Sequence, residues 1–390
     1  MYIKKSVLVI CAIVLMIVTV FGTVMFVNPF GPLKFNDFFK FKLGIGVLNQ
    51  FYYENIDTSK MVDGALLGAS LSLEDPYTVY MSGAEADSFL ESVESDDYTG
   101  VGLYISADDD GNGITIVSPL KDSPAEKAGI VSGDKILYVD GQSVSGLNID
   151  TVASNMKGPE GTSVTLTILK KSTDEIVDIT LTRATIRRET VISQMLDDEV
   201  AYIQISQFGV NTFAEFAQHF NSLIPQGMQR LVIDLRNNPG GLMETATSIA
   251  DSFIDDGVIV YTLDKNGNRR DYNATPGKSS LPMVVLTNGG SASASEVLVG
   301  ALHSHGLITI VGEKTFGKGV TQIPYKFKDG SIMKITDSRY YTPGDVCIDH
   351  QGILPDIEVK MTDEEYASIV GVDPEHDLQL QKALEVVKQK

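Results

Sequence analysis

Residues 283–322 read MVVLTNGGSASASEVLVGALHSHGLITIVGEKTFGKGVTQ, and this stretch decides the fold. MVVLT is short, apolar and bounded by Asn288, Gly289 and Gly290, which predicts a buried strand ending in a turn. ASEVLVGALHS then predicts a helix, and LITIVG a second strand. Strand, turn, helix and strand make the unit of a layered α/β sheet with largely parallel strands. A side chain at such a turn projects from the carboxyl edge of the sheet. The helix N–H groups beside it can stabilise an oxyanion.

Working outward, residues 199–361 continue the alternation. EVAYIQI, RLVIDL and VIVYTL read as strands. TFAEFAQHFNSLI places Phe213, Phe216, Ala217 and Phe220 at i, i+3, i+4 and i+7, one face of a helix, and LMETATSIADSFI follows as another. A hairpin turns at Asp329-Gly330. The core is expected over 186–361, with a helical tail over 362–390 carrying Leu380, Leu384 and Val387 on one side. Residues 98–185 differ: VGLYI, ITIVS, DKILYVDG, SVTLTIL and EIVDITL alternate as short strands between turn signals. Short helices are expected at SPAEKAG and IDTVASNM. Residues 31–97 read as helical in FYYENID, MVDGALLGASL and AEADSFLESVE, broken at Asp75-Pro76, with an acidic linker ending at Asp96-Asp97.

Val7 to Val27 is an uncharged run of 21 residues. At about 1.5 Å per residue it spans roughly 31 Å, one bilayer core. Lys4 and Lys5 precede it and favour a cytoplasmic N-terminus. The expectation is a cytoplasmic stub and transmembrane helix over 1–30, with the rest extracytoplasmic at the cell membrane. A cleaved signal peptide is the alternative, against which stand the run's length and the lack of an A-x-A-like site. Ile10 before Cys11 does not suit lipoprotein processing.

The chain has 390 residues and a net charge of −20, from 31 basic and 51 acidic side chains. Its length fits two or three domains. The negative charge argues against nucleic-acid binding. Two cysteines, Cys11 and Cys347, exclude a disulfide framework and a cysteine-rich metal site.

Ser291, Ser293 and Ser295 alternate after the strand, so at most two can face one cleft. As candidate nucleophiles they stand against a plainer role as N-caps or small packing residues. A serine needs a base. None of the five histidines has a tight glycine-flanked setting, and His303 and His305 sit where a helix end explains them. Lys318, between Gly317 and Gly319, can be brought close to another element, and burial would let it work as a neutral amine. An exposed turn lysine is the alternative. Gly312 to Gly319 nearly matches a phosphate loop, but Gly319 lacks the hydroxyl and a strand-like run follows. Asp234 to Gly241, DLRNNPGG, leaves the carboxyl end of RLVIDL and enters a helix, where ligands bind in α/β sheets. Its Asp234 reads as a brace and its glycines as anion-binding N–H donors. Gly100, Val101, Gly102 and Leu103 form a weak G-x-G signal for capture of a peptide carboxylate beside a strand edge.

Taken together, these motifs resemble the C-terminal processing (tail-specific) serine peptidases. YTGVGLYI, SPAEKAGIVSGDKILYVDGQSV and MKGPEGTSVTLTI resemble that family's PDZ domain. DLRNNPGG, NGGSASASEVLVGAL and GEKTFGKGVTQ resemble its core motifs, and LSLEDPYTVY matches except that Glu74 replaces a more usual Asp. The resemblance implies a crotonase-like α/β peptidase core with an inserted PDZ domain. It implies Ser293 as nucleophile, Lys318 as general base and Gln322 as the residue orienting the lysine. The oxyanion hole would combine the Ala294 N–H with one from Gly240 or Gly241. It implies no metal and no organic cofactor. Partners would be proteins with free, hydrophobic C-termini, and homodimers built from the terminal helical segments. Phe316 and the surrounding glycines are expected to supply a dry pocket for Lys318. Apolar Ile149, Val152, Ala153 and Met156 are expected to receive the last side chain of a bound tail. A PDZ scaffold on an inactive core is the competing reading; the presence of both Ser293 and Lys318 favours the enzyme.

Overall fold

The structure is a computed structural model and describes residues 13–16, 19, 35–95, 97–107, 113–120, 122–147, 149–278, 281–362, 365, 369 and 371–390. The apolar run 7–27 lies almost wholly outside these residues. Among the described residues no helix is long and apolar enough to cross a membrane.

The chain divides into two units, Met1–Leu66 and Leu67–Lys390. In the first, helix α1 (Phe35–Phe51) leaves Phe38, Phe39, Phe41 and Leu43 exposed. Of FYYENID, expected to be helical, only Phe51 is, as the last residue of α1, and residues 52–57 form the break after it. Helix α2 (Thr58–Leu71) restarts because the Asp57 carboxylate accepts the N–H of Ser59 at 2.9 Å and of Lys60 at 3.3 Å, an N-cap that competes with continued helix.

The second unit takes in the end of α2 and continues with β1 (Val79–Met81) and α3 (Ala84–Glu94). Next, β2 (Tyr98–Gly100) leads into a small module. The module contains β3 (Leu103–Ala107), β4 (Ile114–Pro119), α4 (Pro124–Lys127), β5 (Lys135–Val139) and β6 (Gln142–Ser143). It continues through α5 (Ile149–Met156), β7 (Ser163–Leu169) and β8 (Ile176–Thr182). Its antiparallel sheet runs β3-β4-β5-β7-β8, so among the described residues β3 has one edge open. Val164, Leu166 and Ile168 of β7 are buried at period two, against Val152 and Met156 of α5. The exit strand β9 (Ala184–Ile186) pairs with the entry strand β2, Tyr98 opposite Ile186, closing the module's neck.

The core follows as β10 (Val191–Met195), β11 (Val200–Ile205), α6 (Thr212–Leu223), β12 (Arg230–Asp234) and α7 (Met243–Asp251). Then come β13 (Val258–Asp264), β14 (Arg269–Asn273), β15 (Met283–Thr287), α8 (Ala294–Ser304) and β16 (Ile308–Gly312). The chain ends with β17 (Val320–Lys326), β18 (Ile332–Thr342), β19 (Val346–Cys347), β20 (Ile357–Glu358) and α9 (Leu378–Lys388). The central sheet runs β10-β11-β12-β15-β16-β20, parallel except for the β10–β11 pair. Both faces are covered. Met283 and Val285 pack with Phe216, Ile249 and Leu298 from α6, α7 and α8, while Val284 and Leu286 pack with Leu380, Ala383 and Val387 from α9. This double burial explains the uninterrupted apolar run of β15.

One strand departs from the expected alternation. VIVYTL, as β13, leaves the parallel sheet and pairs antiparallel with β14 and β18. Its turn decides this: the Asp264 carboxylate accepts the N–H of Asn266 at 2.8 Å and of Asn268 at 2.9 Å, folding the chain into a hairpin with RRDYN. The resulting second sheet runs β1-β18-β13-β14, with β17 and β19 also on β18.

Candidate active site

Three adjacent strands, β12, β15 and β16, end at the same edge of the central sheet, and each sends out one loop. The loops are stitched together. Ser291 Oγ donates to the Leu235 carbonyl at 2.8 Å, and Ser295 Oγ donates to that of Asn238 at 2.9 Å. Asn237 and Asn288 exchange two hydrogen bonds of 2.9 Å. Phe316 N–H reaches the Ser291 carbonyl at 3.0 Å. The three serines therefore separate by role: Ser291 and Ser295 are buried struts, while Ser293 faces a cavity of about 560 Å³. Ser293 sits at the N-terminus of α8 with φ 55° and ψ −113°. A non-glycine residue there is strained and is held only by its surroundings.

Those surroundings centre on Glu296, which is fully buried. One of its oxygens accepts the N–H of Ser293 and of Lys318, each at 2.9 Å. The other accepts the Thr315 hydroxyl at 2.5 Å and the Gly317 N–H at 2.7 Å. The buried Tyr340 hydroxyl meets the Ser293 carbonyl at 3.0 Å and is also hydrogen-bonded to that of Lys318. Neither residue was expected from sequence, although Ser293-x-x-Glu296 has the spacing of a capping box.

Lys318 lines the same cavity as Ser293. Burial is the largest influence on its amine and lowers the pKa below the ordinary lysine value; nearby Lys334 lowers it further, while Asp75 and Glu296 oppose. The expected dry wall of Phe316 is absent, because that ring is 58% exposed. Tyr77 takes its place, with its ring centroid 4.7 Å from the Lys318 amine. The flanking glycines do allow close approach: a Cβ on Gly317 would lie 2.9 Å from Gly352 N, and one on Gly319 would lie 2.5 Å from Asp349 N. Among the described residues no hydrogen bond joins Ser293 Oγ to Lys318 Nζ. Gln322 also lines the cavity, but its amide donates to the Val320 carbonyl at 3.3 Å rather than to Lys318. Apo hydrogen bonds of this kind often tighten only around a substrate.

The DLRNNPGG turn backs onto Ser293. A Cβ on Gly240 would fall 2.7 Å from the Ala292 carbonyl and 2.9 Å from both Ala294 N and Ser293 Cβ. Gly240 N–H is already committed, donating to Asn238 Oδ1 at 2.9 Å. Among the described residues the N–H groups of Gly241 and Ala294 meet no protein acceptor, and both residues line the cavity. Asp234 is a brace, as expected: it accepts from the Tyr202 hydroxyl at 2.7 Å and pairs with Arg236.

This architecture has known counterparts. Residues 199–359 match the model of Peptidase family S41, residues 115–170 that of the PDZ domain, and residues 31–85 that of the activating protease CtpB N-terminal domain. Carboxy-terminal processing protease CtpA of Bacillus subtilis (strain 168) is 39% identical over 324 residues, covering 83% of this chain and 68% of that protein. The chain belongs to peptidase family S41. The carboxyl-terminal-processing protease of Synechocystis sp. (strain ATCC 27184 / PCC 6803 / Kazusa) is 36% identical, covering 81% of this chain and 74% of that protein. The solved photosystem II D1 C-terminal processing protease superposes with a TM-score of 0.51 at 31% identity, covering 88% of this chain and 90% of that one. The protein is thus a serine-type C-terminal processing peptidase with a PDZ domain.

In the PDZ domain of this S41 peptidase, Gly100, Val101, Gly102 and Leu103 line a groove of about 220 Å³ with Ala153 and Met156 of α5. Val152 does not reach it, being fully buried in the module's core, and Ile149 packs against that core. A helix face wide enough to seal a core cannot also line a groove at every position. Two cations missed from sequence stand at the groove, Lys157 and Arg188, at 5.6 Å and 5.8 Å from the Tyr98 ring.

Proposed function

We propose that the peptidase works through a Ser293–Lys318 dyad and selects its substrates by their free C-termini. The observation that carries this reading is the strained Ser293 at the α8 N-terminus, sharing one cavity with the half-buried amine of Lys318. Neutral Lys318 takes the Ser293 hydroxyl proton as Oγ attacks the scissile carbonyl. The oxyanion meets the N–H groups of Ala294 and Gly241, since that of Gly240 is committed to Asn238. The Lys318 ammonium returns its proton to the leaving amine, and water then hydrolyses the acyl-enzyme by the same route. Gln322 orients the amine in the substrate complex. The core is read as crotonase-like.

The PDZ groove recruits a hydrophobic C-terminus, and the cavity receives the chain to be cut. The uncharged run 7–27, preceded by Lys4 and Lys5, supports a membrane anchor with the catalytic unit outside the cytoplasm. The exposed apolar residues of α1 support self-association into a homodimer. The test is cleavage of a denatured protein by wild type, Ser293→Ala, Lys318→Ala and Lys318→Arg. All three variants are expected to lose turnover by orders of magnitude. Arginine cannot give up its proton at working pH, so substantial activity in Lys318→Arg removes the lysine base.

A further inference from the structure

We infer that Tyr77 is a positioning residue for the base: its ring lies across the Lys318 amine and keeps water from it, an inference that rests on the dyad reading above. Tyr77 is 241 residues upstream of Lys318 in sequence, yet the chain is built to deliver it. The Asp75 carboxylate folds the segment locally, accepting the Tyr77 N–H at 3.0 Å and the Thr78 hydroxyl at 2.6 Å. Thr78 Oγ1 in turn accepts the Thr336 N–H at 3.0 Å. Strand β1 then pairs with β18, Val79 opposite Lys334 and Met81 opposite Ile332. Buried Tyr80 completes the anchor, its ring edge-on to Phe327 with centroids 6.1 Å apart. Fastened on both sides, Tyr77 presents its ring to the amine at 4.7 Å.

The ring has two opposed effects. Its face attracts an ammonium, which favours the charged lysine. Its bulk removes water from one side of the amine, which favours the neutral lysine. Burial is the largest influence on Lys318, and the ring, 4.7 Å from the amine, is part of what buries it, so its removal is expected to raise the pKa. The charged groups that bear on the amine are Lys334 on β18, Asp75 on the Tyr77 segment and Glu296 on α8. Asp264 and Asp337 line the same cavity from β13 and β18, as do Glu244 of α7 and Arg269 and Arg270 of β14. None of these is removed when the ring alone is changed, so the ring's contribution can be isolated.

Tyr77→Phe keeps the ring, Tyr77→Leu keeps apolar bulk without a π face, and Tyr77→Ala opens the site. In the full-length chain, Tyr77→Ala is expected to lower kcat about ten- to a hundred-fold with little change in KM, while Tyr77→Phe stays near wild type. The deciding measurement does not use activity: the Lys318 side-chain carbon is titrated by NMR in Ser293→Ala, with and without each Tyr77 change. The expected result is a pKa below the ordinary lysine value in the parent, rising in Tyr77→Ala but not in Tyr77→Phe or Tyr77→Leu. A Lys318 that titrates identically in the parent and in Tyr77→Ala overturns the inference and leaves the dyad standing. A Lys318 that titrates at the ordinary value in the parent overturns the dyad reading itself, and the inference with it.

Discussion

Ser293 and Lys318 share two main-chain partners: their N–H groups meet one oxygen of Glu296, and their carbonyls meet the hydroxyl of Tyr340. Two residues from different loops are thereby held at both the N–H and the carbonyl. Such preorganisation keeps reacting groups in place before substrate arrives.

Breaking this clamp should cost activity more than binding. Glu296→Gln presents an amide where four donors converge, so at least one N–H loses its acceptor. A fall in stability of about 1–3 kcal/mol is expected, the scale of an unsatisfied buried donor. Tyr340→Phe keeps the ring and loses only the hydroxyl, so its loss should be smaller. For both, kcat should fall well before KM changes, as steady-state kinetics beside urea unfolding would show. A Glu296→Gln enzyme with wild-type kcat would mean that the clamp does not matter for catalysis.

The glycine turn should be as intolerant. Gly240 has φ 102° and Gly241 φ 143°, and a Cβ on Gly241 would lie 2.1 Å from the Phe208 carbonyl oxygen. Gly240→Ala pushes directly on the Ser293 turn, so it should cut kcat at least a hundredfold, the scale of a lost oxyanion donor. Gly267 also has a positive φ of 80°, but a Cβ there meets nothing within 4 Å. Gly267→Ala should therefore carry only backbone strain, of about 1 kcal/mol, and keep its kcat. Equal kinetic losses in the two variants would refute the positional argument.

Lysine burial also gives the pH dependence its sign. The folded chain lowers the Lys318 pKa, mainly through burial. Below that lowered value the amine is protonated and cannot act as a base, so kcat/KM should rise as pH climbs through it. Folding stability follows the same direction. Between the lowered folded value and the ordinary lysine value, the unfolded chain binds the extra proton, so stability rises with pH across that window. Lys318→Met should flatten this part of the stability profile. A profile unchanged by that substitution would show that Lys318 does not titrate there.

Much of this site was legible because its motifs are local. The strand–turn–helix at 283–304 and the strand ending in DLRNNPGG each declare themselves by period and by glycine. What was not legible depends on partners distant in sequence. Phe316 looked like the wall of a dry pocket because it adjoins Lys318 in sequence, but Gly317 between them has φ 94° and turns the chain, so the two side chains need not share a side. Tyr77 occupies that position through β1 pairing with β18, which no local pattern encodes. The helix expected over FYYENID failed for the opposite reason, since a single Asp57 cap outweighed the apolar spacing. Likewise, alternation shows that VIVYTL is a strand but not which strands it joins.

The C-terminal helix should depend on one buried arginine. Arg236 pairs with Asp234 at 2.6 Å and with Asp377 at 2.7 Å, and all three are buried. Asp377 also caps α9, accepting the Leu380 N–H at 2.9 Å. Arg236→Met would leave two facing carboxylates without their cation, at a cost of about 3–5 kcal/mol. Asp377→Asn keeps the Asp234 pair and should cost less, about 1–3 kcal/mol. Urea unfolding and limited proteolysis near residue 371 would rank them. The reverse order would place the main hold on α9 elsewhere, in Leu380, Ala383 and Val387.

Tail recognition should depend on charge at one end of the PDZ groove and on apolar contact along it. Gly102 has φ 76°, and a Cβ there would strike Ser123 Cβ at 2.3 Å, so the turn can exist only with glycine. Among the described residues the N–H groups of Val101 and Gly102 meet no protein acceptor, which leaves them for a carboxylate. Lys157 and Arg188 add positive charge at the same groove. Leu103, Leu120, Ala153 and Met156 supply the apolar wall. A peptide ending in a hydrophobic residue with a free carboxylate should therefore bind best. Amidating it removes the charge and should weaken binding by about 1–3 kcal/mol, the scale of a charged hydrogen bond. Ending it in Asp or Lys should also weaken binding, through desolvation against the apolar wall. Arg188→Ala and Lys157→Ala should each weaken the free-acid peptide more than the amidated one, and the difference should shrink at high salt because both cations are exposed. Fluorescence anisotropy with the free, amidated and charged tails reads all of this without turnover, so it is independent of the dyad. Equal affinity for the free and amidated tails would refute carboxylate capture and leave the PDZ domain as a brace for the core.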